Sequence, residues 1–350
     1  MRVATKRVFY VERLADPVYA ELLGRRADIR LDRLDRDSDD DVAAPVLAAA
    51  HVYQIGSTRD ELPRRFHLDA GLILRMPGLL IVSTGGAGCD TVDVKACTDA
   101  GVLVLNQAGG NREAVAEHVL GMLLALSKRI AETNQAMRSD HPIERAAFVG
   151  RDVYGKTIGI IGLGQAGSRV AQLCRSLFAM SVLAYDPYVS AADCEQRGAE
   201  KVALDDLMPR SDFVSLNCPL TAETRGMVGA AQLALMKPDA YLISTARGHI
   251  HDEAALVAAL REKRIAGAGL DVWATEPPPT DHPLLQFPNV LASPHTAGVT
   301  REARFNTGRI AAEQVLDAID GRPVPRKVNP EVWPAYAARF MRQFGFAPQE

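Results

Sequence analysis

The run Lys156-Thr-Ile-Gly-Ile-Ile-Gly-Leu-Gly-Gln-Ala-Gly167 narrows the possible folds more than any other stretch of this chain. Residues 157–161 are short, β-branched and apolar, as a strand covered on both faces must be. Gly162, Gly164 and Gly167 follow in GxGxxG spacing: the first permits a tight turn, the second lets backbone approach a phosphate, and the third lets a helix pack closely on its strand. A helix is predicted to continue to residue 178, with its free amides and positive end facing an anion. A second strand, 182–185, ends in Asp186, nineteen residues after Gly167. An acid there can accept from both ribose hydroxyls of an adenosine and would repel a 2′-phosphate, so the stretch predicts a dinucleotide site with NAD favoured over NADP. An ordinary tight strand-to-helix turn is the alternative.

The 350 residues are long for one core, and two domains are expected. An apolar fraction of 47% with a charged fraction of 24% is that of an ordinary soluble protein, and a net charge of −3 argues against a nucleic-acid or membrane partner held by bulk electrostatics. Residues 1–17 contain no apolar segment of the signal-peptide kind, and no run reaches the ~18–20 apolar residues of a membrane span. Five cysteines without a CxxC pair suit reduced thiols and a cytoplasmic location. No metal site is expected. His249 and His251 have no third ligand nearby in sequence and read as loop or helix-entry residues.

Strands and helices alternate through residues 1–110, which implies a parallel sheet. The acidic stretch 35–41 reads as a solvated loop. After the strand at 79–83, the segment Ser83-Thr-Gly-Gly-Ala-Gly-Cys-Asp90 leaves backbone amides of Gly86, Ala87 and Gly88 able to meet a small anion; a turn that merely needs positive φ is the alternative. Residues 111–137 form the longest helical pattern, and 138–154 read as a linker. The second half alternates again, with helices at 204–208, 232–236 and 252–263 and Asp252 as N-cap. A helix over 301–319 follows, and an aromatic stripe at Trp333, Tyr336, Phe340 and Phe344 is expected to dock on a domain surface or a second subunit.

Three strand ends in this second half carry chemistry: Ser244-Thr-Ala-Arg247-Gly248, Leu270-Asp271-Val-Trp-Ala-Thr-Glu276-Pro277 and Ser293-Pro294-His295-Thr-Ala-Gly298. Ligands bind at that edge of an open α/β sheet. Arg247 offers a planar fork of donors for a carboxylate or a carbonyl that becomes an alkoxide. His295 suits proton exchange near neutrality, and Glu276 would orient it and raise its pKa. Singly, each of the three also fits a structural role.

Taken in order, GGAGCDTVDV, NREAVAEHVLGMLLAL, GKTIGIIGLGQAG, AYDP, NCPLTAETRGMV, STARG, GLDVWATEP and SPHTAG make the chain resemble the D-isomer-specific 2-hydroxyacid dehydrogenases from about residue 79 to 329. The resemblance implies two doubly wound parallel-sheet α/β domains: a flavodoxin-like substrate domain from 1–111 and 300–350, and a Rossmann NAD-binding domain at 112–299. It assigns the substrate carboxylate and carbonyl to Arg247, acid-base chemistry to His295 and its support to Glu276. Cofactor contacts fall on Gly162, Gly164, Gln165, Ala166, Gly167, Asp186, Pro219, Thr224, Ala246, Asp271 and Gly298, with Asp271 near the nicotinamide amide. The loop Gly86, Ala87, Gly88 would hold the substrate carboxylate, and a homodimer would form largely through the helix after Asn111.

The expected function is NAD(H)-dependent interconversion of a small (R)-2-hydroxy acid and its 2-oxo acid, such as glyoxylate or hydroxypyruvate. A phosphoglycerate-type dehydrogenase and a non-catalytic, NAD-responsive corepressor-like protein remain alternatives. Gly56 and Thr84 stand where phosphoglycerate dehydrogenases tend to carry basic residues, which disfavours a phosphorylated substrate unless Arg59, Arg64 or Arg65 compensates. In related formate dehydrogenases the partner of the histidine is glutamine, so Glu276 favours the proton-transferring hydroxyacid reaction. His251 has no role in this reading.

Overall fold

The computed structural model describes residues 5–139 and 142–350; part of the expected linker, residues 140 and 141, and the first four residues lie outside them. Two compact units divide the chain: Met1–Asn111 with Arg301–Glu350, and Arg112–Thr300.

In the first unit, β1 (Lys6–Val11), α1 (Val18–Gly24), β2 (Ile29–Leu34), α2 (Asp40–Ala49), β3 (Val52–Ile55), α3 (Ala70–Leu74), β4 (Ile81–Thr84), α4 (Val94–Asp99) and β5 (Leu103–Leu105) follow in turn. The all-parallel sheet has the order β2-β1-β3-β4-β5, the flavodoxin-like arrangement. β3, β4 and β5 are buried at every residue, because helices cover both faces. Phe9, Tyr53, Val82 and Val104 turn to one face with Leu47, Leu72 and Cys97. Val8, Val52, Ile81 and Leu103 turn to the other, under α1 and the C-terminal helices. The acidic stretch is only partly loop, since Asp40 and Asp41 form the first turn of α2, where negative side chains favour the helix dipole.

The second unit starts with α5 (Arg112–Ser127) and α6 (Ile130–Ala136). One continuous helix was expected over 111–137, and the structure breaks it. Arg129 takes a left-handed φ of 53°, and the Ser127 carbonyl, which would have continued the helix, accepts from the Arg151 amide at 2.7 Å. Then come β6 (Thr157–Ile161), α7 (Gln165–Phe178), β7 (Ser181–Tyr185), α8 (Ala191–Gln196), β8 (Glu200–Lys201), α9 (Leu204–Arg210), β9 (Phe213–Leu216), α10 (Ala230–Leu235), β10 (Tyr241–Ser244), α11 (Glu253–Arg261), β11 (Gly267–Leu270) and β12 (Val290–Ala292). Their parallel order, β12-β11-β10-β9-β6-β7-β8, reverses direction at β6. In open α/β sheets such a reversal is where ligands bind, here beside the β6 turn. Asp252 caps α11 by accepting from the Ala255 amide.

The chain closes with α12 (Arg301–Ile319) and α13 (Trp333–Phe344), both of the first unit. Tyr336 and Phe340 of the aromatic stripe are buried against Val315 and Ile319 of α12, within the first unit's own core. Among the described residues no helix is long and apolar enough to cross a membrane.

Candidate active site and cofactor site

The glycine turn is built by steric exclusion. Gly162 has φ 92°, and a β-carbon there would lie 2.6 Å from the Cys218 backbone nitrogen; one on Gly167 would lie 2.1 Å from the Gly162 carbonyl oxygen. A β-carbon on Gly164 would meet nothing within 4 Å, which is the open side from which a ligand can approach. Gly164 is the N-cap of α7 without a side-chain cap, so the first helical amides, at Gln165, Ala166 and Gly167, point outward from a fourteen-residue helix. Asp186 closes this turn as well as facing it: its two carboxylate oxygens accept from the amides of Leu163 (2.9 Å) and Tyr188 (3.0 Å). In the loop after β9, the Thr224 hydroxyl donates to the Pro219 carbonyl at 2.7 Å.

Buried polar atoms mark the neighbouring strand ends. Asn217 Oδ1, Ser244 Oγ and Thr245 Oγ1 are buried without a hydrogen-bond partner among the described residues. Such groups are costly unless a ligand or water satisfies them. With the uncapped helix start and the open Gly164, they fit a dinucleotide.

The catalytic candidates all lie in the second unit. Ala246 is buried at the end of β10, Arg247 follows it half-buried, and Gly248 allows a close backbone crossing, since a β-carbon there would stand 2.0 Å from the Trp273 carbonyl carbon. Glu276 Oε1 accepts from the Trp273 amide at 3.0 Å, and Oε2 meets His295 Nδ1 at 2.7 Å. His295 adopts the left-handed φ of 53°. Burial pulls its imidazole down, but the hydrogen bond and charge of Glu276 outweigh burial and raise the pKa above the ordinary 6.5, while Arg247 opposes them. Burial in turn pushes the Glu276 carboxyl up, and the hydrogen bond and charge of His295, the Trp273 amide and the charge of Arg247 together more than offset it, so that this pKa is lowered. Glu276 thus favours the protonated imidazole, and Nε2 is the ring nitrogen it leaves to exchange a proton.

Asp271 has a larger structural part than its sequence position indicated. Its side chain is fully buried; Oδ1 accepts from the Ser293 hydroxyl (2.6 Å) and the Thr296 amide (2.8 Å), and Oδ2 from the Ala297 amide (2.8 Å). Its carbonyl accepts from the His295 amide at 2.7 Å. Gly298 follows in a turn closed by the Val299 amide on the Thr296 carbonyl. One carboxylate thus fixes the turn that carries the histidine. Sequence reasoning also missed His118 of α5, whose Nε2 stands 3.0 Å from Ser293 Oγ.

His251 is buried with neither ring nitrogen hydrogen-bonded among the described residues, and burial pushes its imidazole down to about 4. It is a neutral packing residue near pH 7. Among the described residues no group of three or more His, Cys, Asp or Glu is placed to hold a metal ion.

In the first unit, the Gly86 carbonyl accepts from Thr84 Oγ1 and the Gln107 amide, and the Ala87 carbonyl from Asn106 Nδ2. The carbonyls of Gly86 and Ala87 are thus engaged by residues of the first unit itself. Of the three arginines singled out earlier, Arg59 reaches this loop, with Nε donating to the Asp90 carbonyl at 3.2 Å. Arg65 instead donates to the Arg36 carbonyl.

The family profile described as D-isomer specific 2-hydroxyacid dehydrogenase, NAD binding domain, matches residues 120–297. A D-3-phosphoglycerate dehydrogenase of Archaeoglobus fulgidus is 40% identical over 269 residues, covering 77% of this chain and 51% of that protein. The chain spans about half the length of the curated relatives it matches. Among solved structures, the D-lactate dehydrogenase of Aquifex aeolicus complexed with NAD and lactic acid is similar with a TM-score of 0.75 and 28% identity, over 90% of this chain and 96% of that one. An acyclic imino acid reductase in complex with NADPH and D-Arg is similar with a TM-score of 0.80 and 27% identity, over 92% and 99%. With a profile match covering half of its residues and both sheets in the expected order, the chain belongs to the D-isomer-specific 2-hydroxyacid dehydrogenase family.

Proposed function

We propose that this protein interconverts an (R)-2-hydroxy acid and its 2-oxo acid with NAD(H). The observation that carries the reading is the His295–Glu276 pair, 2.7 Å apart, with the charge of Arg247 acting on both partners. A bound nicotinamide would supply the hydride to the carbonyl carbon. Arg247 would hold the substrate carboxylate and polarise the carbonyl oxygen. His295 Nε2 would give its proton to that oxygen, so that hydride and proton together make the hydroxyl, and Glu276 at Nδ1 would stabilise the imidazolium before transfer. Oxidation runs the same steps backwards. The amides of Gly86, Ala87 and Gly88 are proposed as a second cradle for the carboxylate.

For the substrate, two observations pull apart. Similarity to D-3-phosphoglycerate dehydrogenases favours a phosphorylated acid, and Arg59, anchored on the carboxylate loop, is the guanidinium available to a phosphate. Gly56 and Thr84, uncharged at the same strand ends, favour a small acid such as glyoxylate or hydroxypyruvate. Asp186 supports NADH over NADPH, since a 2′-phosphate would meet its carboxylate. The exposed Ile130, Met137 and Val149 that follow α5 support a homodimer, which light scattering would detect as twice the mass of 37.8 kDa.

A kinetic panel of glyoxylate, hydroxypyruvate, phenylpyruvate and 3-phosphohydroxypyruvate with both cofactors tests the whole reading. One oxo acid should turn over with NADH well ahead of NADPH. His295→Gln should lower that rate roughly 10²–10⁴-fold with NADH binding unchanged. Tight NADH binding without turnover of any acid would instead favour the corepressor-like reading.

A further inference from the structure

Asp271 poses a problem of charge. Its side chain is 0% exposed, and the sole basic side chain paired with it among the described residues is His118, with Nε2 3.7 Å from Oδ1. A buried carboxylate without a close cation must be held by hydrogen-bond donors. Two of its donors are the amides of Thr296 and Ala297, directly after His295. The third is the Ser293 hydroxyl. This carboxylate therefore holds a turn whose histidine sits in the left-handed region, a conformation unfavourable for a side-chain-bearing residue and retained only when its surroundings over-determine it.

Ser293 has one hydroxyl proton, and at 2.6 Å it is given to Asp271. Toward His118, 3.0 Å away, Oγ can then only accept, so His118 Nε2 must carry a hydrogen. The chain His118 Nε2–H to Ser293 Oγ–H to Asp271 Oδ1 thereby fixes a hydroxyl that could otherwise rotate. It connects α5 to the turn at the end of β12.

We propose that His118 is a positioning residue for the proton transfer: by locking the Ser293 hydroxyl onto Asp271, it keeps that carboxylate aimed at the Thr296 and Ala297 amides and so holds the His295 turn in register. The inference rests on His295 being the acid-base group. The charged side chains acting on His295 are Glu276, Arg247 and Asp271, and of these Asp271 is the one His118 reaches.

The test compares His118→Leu, which removes the donor, with His118→Gln, whose side-chain amide can restore an N–H near the Nε2 position, and with Ser293→Ala. Two readouts are taken: kcat and KM for 2-oxo acid reduction, and the titration of the His295 imidazole by NMR on ¹⁵N-histidine-labelled protein, which needs no turnover. H118L is expected to lose at least about tenfold in kcat with KM for NADH within about twofold, and to titrate His295 at lower pH because Asp271 no longer supports its charge. S293A should match H118L, the double variant should be no worse than either, and H118Q should stay close to wild type. A folded H118L with wild-type kcat and wild-type His295 titration would overturn the proposal, as would an H118Q as impaired as H118L, since shape alone would then be the cause. If H118L does not fold, S293A, one oxygen smaller than wild type, decides by the same readouts. Wild-type protein that reduces none of the acids would count against the enzymatic reading alone, and the NMR titration would still judge the His118 chain.

Discussion

At His295 burial and a neighbouring carboxylate act in opposite directions, and Glu276 prevails. Replacing Glu276 by Gln keeps the shape and removes the charge, leaving burial and Arg247 to lower the imidazole pKa. Reduction needs protonated His295, so its rate is present below the folded pKa and lost as pH rises through it; in Glu276→Gln that loss should come at lower pH. Oxidation, which needs the neutral ring, should reach its plateau at lower pH in the same variant. Profiles of kcat/KM against pH in both directions check this, and superimposable profiles would remove Glu276 from its role. The residue types at this edge were legible because Arg247, Glu276 and His295 each follow a strand and share one sheet edge. The part of Asp271 in holding the turn was not legible. Its partners Ser293, Thr296 and Ala297 come 22 to 26 residues later, and His118 comes from a helix far earlier in the chain.

Among the elements, the β6–α7 turn is the least tolerant of added atoms. Gly167→Ala would drive a β-carbon against the Gly162 carbonyl, a backbone atom that cannot swing away. The helix start would have to lift, with an expected loss of about 1–3 kcal/mol in unfolding free energy and a clear fall in NADH affinity. Gly164→Ala, which meets nothing, should cost less, about 0.5–1 kcal/mol as a poorer N-cap, while still hindering the cofactor's approach. Thermal melts and fluorescence titration with NADH separate the two effects. Apolar runs and glycine spacing make these elements readable from sequence. The break between α5 and α6 is not, because apolar periodicity runs on through Lys128 and Arg129 and the competitor for the Ser127 carbonyl is a distant amide, that of Arg151. The two-residue β8 escapes for a different reason: its Glu and Lys are exposed and carry no strand pattern, and pairing with β7 alone defines it.

For the molecule as a whole, the link between the two ends of the chain in the first unit is partly ionic. Asp320, just beyond α12, accepts from Arg26 and from Lys6 of β1. The Arg26 hydrogen bonds lead, Lys6 adds to them, and together they outweigh burial to hold the carboxyl at about 2, against an ordinary 3.8. Its stabilisation is therefore complete above the unfolded value and lost as pH falls from about 4 through 2. Asp320→Asn should cost on the order of 2 kcal/mol at pH 7. The gap to wild type should narrow as urea unfolding is repeated at pH values from 4 down to 2, and a constant gap would contradict the linkage.

The same arrangement bears on how the protein is made. One face of the first sheet, including Val8, Val52, Ile81 and Leu103, is covered by Ala311, Ala312, Val315 and Ile319 of α12 and by Tyr336 and Phe340 of α13. These covering residues leave the ribosome only after all of Arg112–Thr300. At about 5–20 residues per second, the strands wait on the order of 10–60 s for their cover. The second unit, contiguous in the chain, can close in that interval, while this sheet face has only Tyr19 and Leu23 of α1 to cover it.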